Sequence, residues 1–224
     1  MAASPLPHDW KPEVVAGYLT AERLGPYLSC THGDLQAALL LYEWNTHAAA
    51  AVMQTVGLLE VAVRNALDRE ASVWATSRHG VHTWFDVIPL DTRGRRTLEE
   101  SRNRATRQGR TPERHGKVIA ELPLGFWRYL VANRYHTSLW VPALHRAFPN
   151  GHPDLRERRK LVEKSLQDVS RIRNRAAHHE PLLRLDLEHY LDHILDAARW
   201  ISHDVELWVD DLTTLPDIRR RRPS

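Results

Sequence analysis

Residues 154–181 read DLRERRKLVEKSLQDVSRIRNRAAHHEP. Val162, Leu166, Val169, Ile172 and Ala176 recur at the spacing of one helical face, which predicts a helix from Asp154 to Ala177. Asp154 is placed to cap its start, with Glu157 three residues on as the reciprocal partner. Pro181 disfavours helical backbone at Glu180, so the helix should stop near His178 or His179. The same period recurs through most of the chain, and no period-two strand with turn signals stands out. The fold class expected is therefore all-α.

Arg173 breaks the pattern. It sits four residues after Val169 and seven after Leu166, in the middle of the apolar stripe. A guanidinium there needs an anion, a carboxylate partner or a wet cleft, because an unpaired buried charge is costly. His178 lies roughly 140° further round an ideal helix, at about 100° per residue. One straight helix cannot bring both onto one phosphate. Either the helix breaks between them, or two copies of the motif face each other across a dimer. The second arrangement gathers two arginines and two histidines round one cleft. RNA cleavage is a chemistry such a cleft could run. Histidine can take the proton of the 2′-hydroxyl or give one to the leaving oxygen. An arginine fork can hold the phosphate and the charge that grows on it. Asn174 could bond a phosphate oxygen or orient the histidine. No metal or cofactor is required.

Arg173-Asn174 followed by His178-His179-Glu180-Pro181 resembles the Arg-x(4–6)-His motif of HEPN domains, with a polar residue directly after the arginine. It is more closely similar to the Abi-like (abortive infection) branch. Three further segments resemble that branch in the same order: residues 59–67 (LEVAVRNAL), 125–127 (GFW) and 139–142 (LWVP). The likeness covers roughly residues 35–210. It implies a HEPN-type helical bundle with additional N-terminal and middle helices, a homodimer, and metal-independent endoribonuclease activity in a toxin or phage-defence system. Arg173 and His178 are then the catalytic pair, Asn174 assists, and His179 is an alternative histidine at an allowed spacing. The products implied carry a 2′,3′-cyclic phosphate. RNA is the expected substrate, and a protein or RNA antitoxin is a possible partner. A non-catalytic member of the same fold that binds RNA or scaffolds an assembly is the alternative.

The chain has 224 residues, of which 42% are hydrophobic and 26% charged, so it can bury a core as one domain. The expected organisation is a single domain over residues 1–215 and a basic tail over 216–224. A single cysteine, Cys30, excludes an internal disulfide framework and a cysteine metal cluster. The first ten residues lack the basic start and apolar core of a secretory signal, and no apolar run is expected to span a membrane. A cytoplasmic location is the expectation. Adjacent histidines at 178 and 179 point different ways on a helix, unlike the His-Glu-x-x-His zinc pattern, so no metal is expected at the motif.

Net charge is only +3, and distribution is more informative. Residues 93–117 carry nine Arg and Lys against three Glu, and the chain ends in an arginine run at 219–222. Arg102, Arg104 and Arg107 from the middle run, with Arg175 and Arg64, are candidate RNA contacts through phosphate neutralisation. Arg64 is also placed to pair with Glu60 one helical turn away. The tail reads as solvated.

Elsewhere the pattern predicts one or two short helices over residues 11–28, interrupted at Gly25-Pro26. A long helix of about forty residues follows Asp34, with a possible bend near Trp44-Asn45-Thr46. An arginine-rich helix breaks at 109–112, another runs from Leu122 to Tyr135, and one starts at Pro142. Asp186 should cap a helix, with a bend near Ser202. Most of the eight tryptophans sit at helical spacing beside leucine and valine, and are read as core.

Overall fold

The computed structural model describes residues 10–223, and the regular structure among them is entirely helical. The helix expected at the motif, here α7, spans Leu155–Ala177. All five stripe residues are buried. Asp154 accepts from the amides of Arg156 and Glu157, both at 2.9 Å. The reciprocal half of the capping box does not form. The Asp154 amide donates to His152 Nδ1 at 3.1 Å, and Glu157 pairs instead with Lys160 at 2.7 Å.

The helix that α7 packs on is α3, Leu35–His79, 45 residues without interruption. Asp34 caps it by accepting from Ala37 N, and Gly80 ends it at φ 68°, a left-handed turn that glycine adopts without strain. The bend considered near residues 44–46 does not break the helix: Trp44 and Asn45 are both buried there. One apolar window of α3 reaches a mean hydropathy of 1.3, so by length and composition alone this helix could cross a bilayer, contrary to expectation. Within the fold, α3 is the central post. Its faces pack on α2 (Ala21–Cys30), α7, α8 (Leu187–Ile201) and α10 (Leu215–Arg220). One hydrophobic cluster runs from Tyr27 to Leu215.

The N-terminal interruption falls at Thr20, not at Gly25-Pro26. Thr20 stands at φ 66° between α1, Pro12–Leu19, and α2, while Pro26 lies inside α2. Proline removes one helical donor there, and burial of the neighbouring Leu24 and Tyr27 holds the helix together across that loss. In the middle, α4 spans Thr92–Ala105, α5 His115–Glu121 and α6 Leu124–Leu130. The arginine-rich stretch does break as expected, with Arg107, Gln108 and Gly109 all at positive φ. No helix starts at Pro142. The chain instead makes a π-helical turn at His136–Trp140 and a 3-10 turn at Leu144–Ala147, fixed by Trp140 Nε1 donating to Leu155 O at 2.7 Å. Asp186 caps α8, and Ser202 caps α9, His203–Leu212.

The segment read as a solvated tail is folded through Arg220. In α10, Leu215 is buried and Ile218 O accepts from Trp44 Nε1 at 2.8 Å. Beyond it, Arg222 lies over the Trp44 ring at 5.2 Å. Of the eight tryptophans expected mostly in the core, Trp44, Trp74, Trp84, Trp127 and Trp140 are buried and Trp200 packs against the core, while Trp10 and Trp208 are exposed.

Candidate active site at the end of α7

The last turn of α7 closes through a Schellman arrangement. His178 is the C-cap, His179 follows at φ 54°, and two amides reach back: His179 N to Ala176 O at 3.1 Å and Glu180 N to Arg175 O at 2.9 Å. Glycine usually takes the left-handed position, and a histidine there is held against its steric preference. The turn is tied down from several sides. Arg23 of α2 donates to His179 O at 2.6 Å. Arg175 donates to Pro181 O at 2.9 Å and pairs with Glu180 at 3.4 Å. The Leu182 amide donates to the buried Asn45 Oδ1 of α3 at 2.7 Å. Cations and fixed donors thus satisfy the free carbonyls beyond the helix end.

The predicted catalytic residues lie as follows. Arg173 is half-buried, and its Nε is buried with no hydrogen-bond partner. No carboxylate among the described residues pairs with it. Asn174, His178 and His179 are exposed. The helix is unbroken from Arg173 to Ala177, so within one subunit the guanidinium and the His178 ring leave the helix in different directions.

On the Arg175 side of the helix, a cleft of about 580 Å3 opens between α2 and the 181–185 strand of loop. Pro26, Ser29, Cys30, Arg175, Arg184 and Leu185 are among its lining residues. Sequence reasoning found Arg175 but missed Arg184 and Arg23, whose positions depend on how the chain folds back after Pro181. Tyr27 of α2 is fully buried and packs edge-on against Tyr42 of α3. Burial first, then Tyr42, push its phenol up to about 12, against the opposing pull of Arg23.

The remaining candidate RNA contacts are less available than expected. Arg102 is engaged by Glu113 at 2.7 Å and Asp86 at 2.8 Å, and the Glu113 bond first, then Asp86, raise its pKa. Arg104 pairs with Glu121 at 3.0 Å and donates to Ser101 and to Glu121 O. Both are phosphate-contact candidates by sequence. Here carboxylates distant in sequence neutralise them and tie α4 to α5 and its flanks. Arg107 is exposed, with no side-chain partner among the described residues. The expected Glu60–Arg64 pair does not form: Arg64 Nε donates to Asn65 Oδ1 at 3.4 Å. Asn45 marks where the end of α7 meets α3, and Arg64 lies roughly 28 Å along α3 from it at about 1.5 Å per residue. Within one subunit, Arg64 is remote from the motif turn. No family model, curated protein or solved structure matches the chain, so the reading of this site rests on its residues and their geometry.

Proposed function

We propose that the chain is a metal-independent endoribonuclease of the Abi-like HEPN type, acting as a toxin or phage-defence effector. In this reading His178 moves the proton, Arg173 holds the scissile phosphate, and Asn174 and His179 assist. The carrying observation is the Arg173 guanidinium. Its Nε is buried and unpartnered, and no carboxylate among the described residues neutralises it. A charge kept in that state is suited to an anion that arrives from outside. The unbroken α7 supports a composite site at a homodimer interface, since the alternative route, a helix break between Arg173 and His178, is not taken. Arg175 and Arg184 line a separate cleft, roughly 160° round α7 from Arg173 at about 100° per residue, and are suited to phosphates further along the RNA. The 2′-hydroxyl attacks the adjacent phosphorus, the 5′-oxygen of the next nucleotide leaves with a proton, and a 2′,3′-cyclic phosphate remains.

The divergence of Arg173 and His178 within one subunit also favours a second reading, a protein of this fold that holds RNA without cutting it. Cleavage of RNA in the presence of EDTA separates the two. The nuclease reading expects cutting by the wild type, and losses of about a hundredfold or more for Arg173→Ala and His178→Ala with RNA binding retained. Full activity in His178→Ala overturns it.

A further inference from the structure

Away from the motif, the packed pair α7–α8 carries a second cluster. His189 and His193 are one turn apart on α8, and Asp168 faces them from α7. The ligand-capable atoms of all three lie within 4.8 Å of one another. His193 Nε2 stands 3.5 Å from Asp168 Oδ2. Two ligands about 2.1 Å from a shared tetrahedral ion would be roughly 3.4 Å apart, which is close to that distance. The two imidazole rings sit 4.5 Å apart, nearly perpendicular at 83°. The other nitrogen of His193 is already held: Nδ1 lies 3.0 Å from the hydroxyl of Ser165, which is 1% exposed. That bond fixes the ring with Nε2 directed at the cluster, the outer-shell arrangement that ligating histidines ordinarily have. His189 is exposed, which leaves one side open to solvent. Lys164 on α7 and Asp196 on α8 are the nearby charges acting on His193, and they oppose each other.

We propose that Asp168, His189 and His193 form a zinc site that clamps α7 to α8. Two imidazoles and one carboxylate suit zinc, and related first-row divalent ions such as cobalt, better than magnesium or calcium, which prefer oxygen cages. The fourth position belongs to water. The ion bridges two helices and needs no part in RNA cleavage, so its failure leaves the nuclease reading intact.

Calorimetric titration of the full chain with zinc chloride tests it, with cobalt chloride as a spectroscopic probe. The expected result is one site per chain, visible cobalt absorption of a low-coordinate ion, and a melting temperature raised by zinc but not by magnesium. His189→Ala and His193→Gln should each weaken zinc binding at least tenfold, and His178→Ala/His179→Ala should leave it unchanged. Because His189 is exposed, His189→Ala should melt like wild type without metal, and it decides the matter if His193→Gln fails to fold. Wild-type zinc affinity in His189→Ala, or no zinc binding by the wild type, overturns the proposal. So does loss of binding in the His178→Ala/His179→Ala variant, which moves the metal to the end of α7.

Discussion

His179 combines a strained backbone with a place in the motif, and the two roles can be separated. Its φ of 54° is one that a side chain with a Cβ tolerates poorly. His179→Gly relieves that strain while keeping both Schellman bonds, so urea unfolding should show a gain of about 1 kcal/mol, less what glycine costs through a freer unfolded chain. On the proposed nuclease reading, the variant keeps most RNA cleavage if His179 only assists, and loses as much as His178→Ala if His179 is the proton carrier. A second histidine reports on burial. His136 opens the π-helical turn, and its buried Nδ1 lacks a partner. Burial first, then Arg159 and Arg156, lower its pKa, with Asp154 pulling weakly the other way. A histidine whose folded pKa is depressed favours the neutral ring. Its contribution is complete above the unfolded value of about 6.5 and is lost as pH falls towards the folded one. The urea midpoint should therefore drop on acidification below about pH 6.5, and drop less in His136→Gln.

Arginines also mark where residue-level reading succeeds and where it stops. By spacing, Arg159 and Arg173 both fall on the apolar side of α7. Arg159 is the deeper, 3% exposed, and although its Nε is also buried without a partner, its Nη1 pairs with Glu163 one turn on and donates to Val131 O at 3.2 Å. Arg173 has Val169, Ser170, Ala176 and Ala177 at those positions, so no local acid can reach it. That contrast is legible in the sequence. The engagement of Arg102 and Arg104 is not, because Asp86, Glu113 and Glu121 approach only after α4 and α5 fold together. The His189/His193 spacing was also visible in the sequence, but its carboxylate comes from another helix.

At the level of elements, periodicity was a sound guide wherever one long helix buries one face. In α7 the five stripe residues, the Asp154 cap and the stop before Pro181 all fall where the spacing puts them. The same helix supplies a matched test. Leu166 is fully buried and Leu161 is 41% exposed. Leu166→Ala should cost about 3 kcal/mol, within the usual range for a core leucine, while Leu161→Ala should stay within about 0.5 kcal/mol of wild type in the same urea assay. Equal losses would mean that the exposed face of α7 is covered, as it would be at an interface. The short elements defeated the reading because local signals lost to tertiary contacts. Pro26 is tolerated inside α2 since Leu24 and Tyr27 are buried, and Pro142 starts no helix because Trp140 is locked to Leu155 O. The basic end folds as α10 because Trp44, far earlier in the chain, offers its indole N–H to Ile218 O.

For the whole molecule, the proposed nuclease reading turns on whether one subunit or two would make the site. Along an unbroken α7, Arg173 and His178 diverge by roughly 140° at about 100° per residue, so a subunit acting alone gives a phosphate one grip and a proton carrier facing elsewhere. A two-fold axis near the end of α7 would bring the arginine of one copy towards the histidine of the other, and light scattering should then report twice the 25.9 kDa of the chain. Mass alone does not connect the dimer to chemistry. Mixing two dead variants does. Arg173→Ala and His178→Ala, each inactive as a homodimer, are unfolded together and refolded so that subunits pair at random. If each site takes its arginine from one copy and its histidine from the other, a mixed dimer carries one intact site and one doubly damaged site. Half the dimers are mixed, so about a quarter of wild-type cleavage should return for isologous pairing. If each subunit built its own site, every site in the mixture would lack one group, and refolding together would restore nothing. A dimer by light scattering with no recovered cleavage would therefore keep the association and discard the composite site.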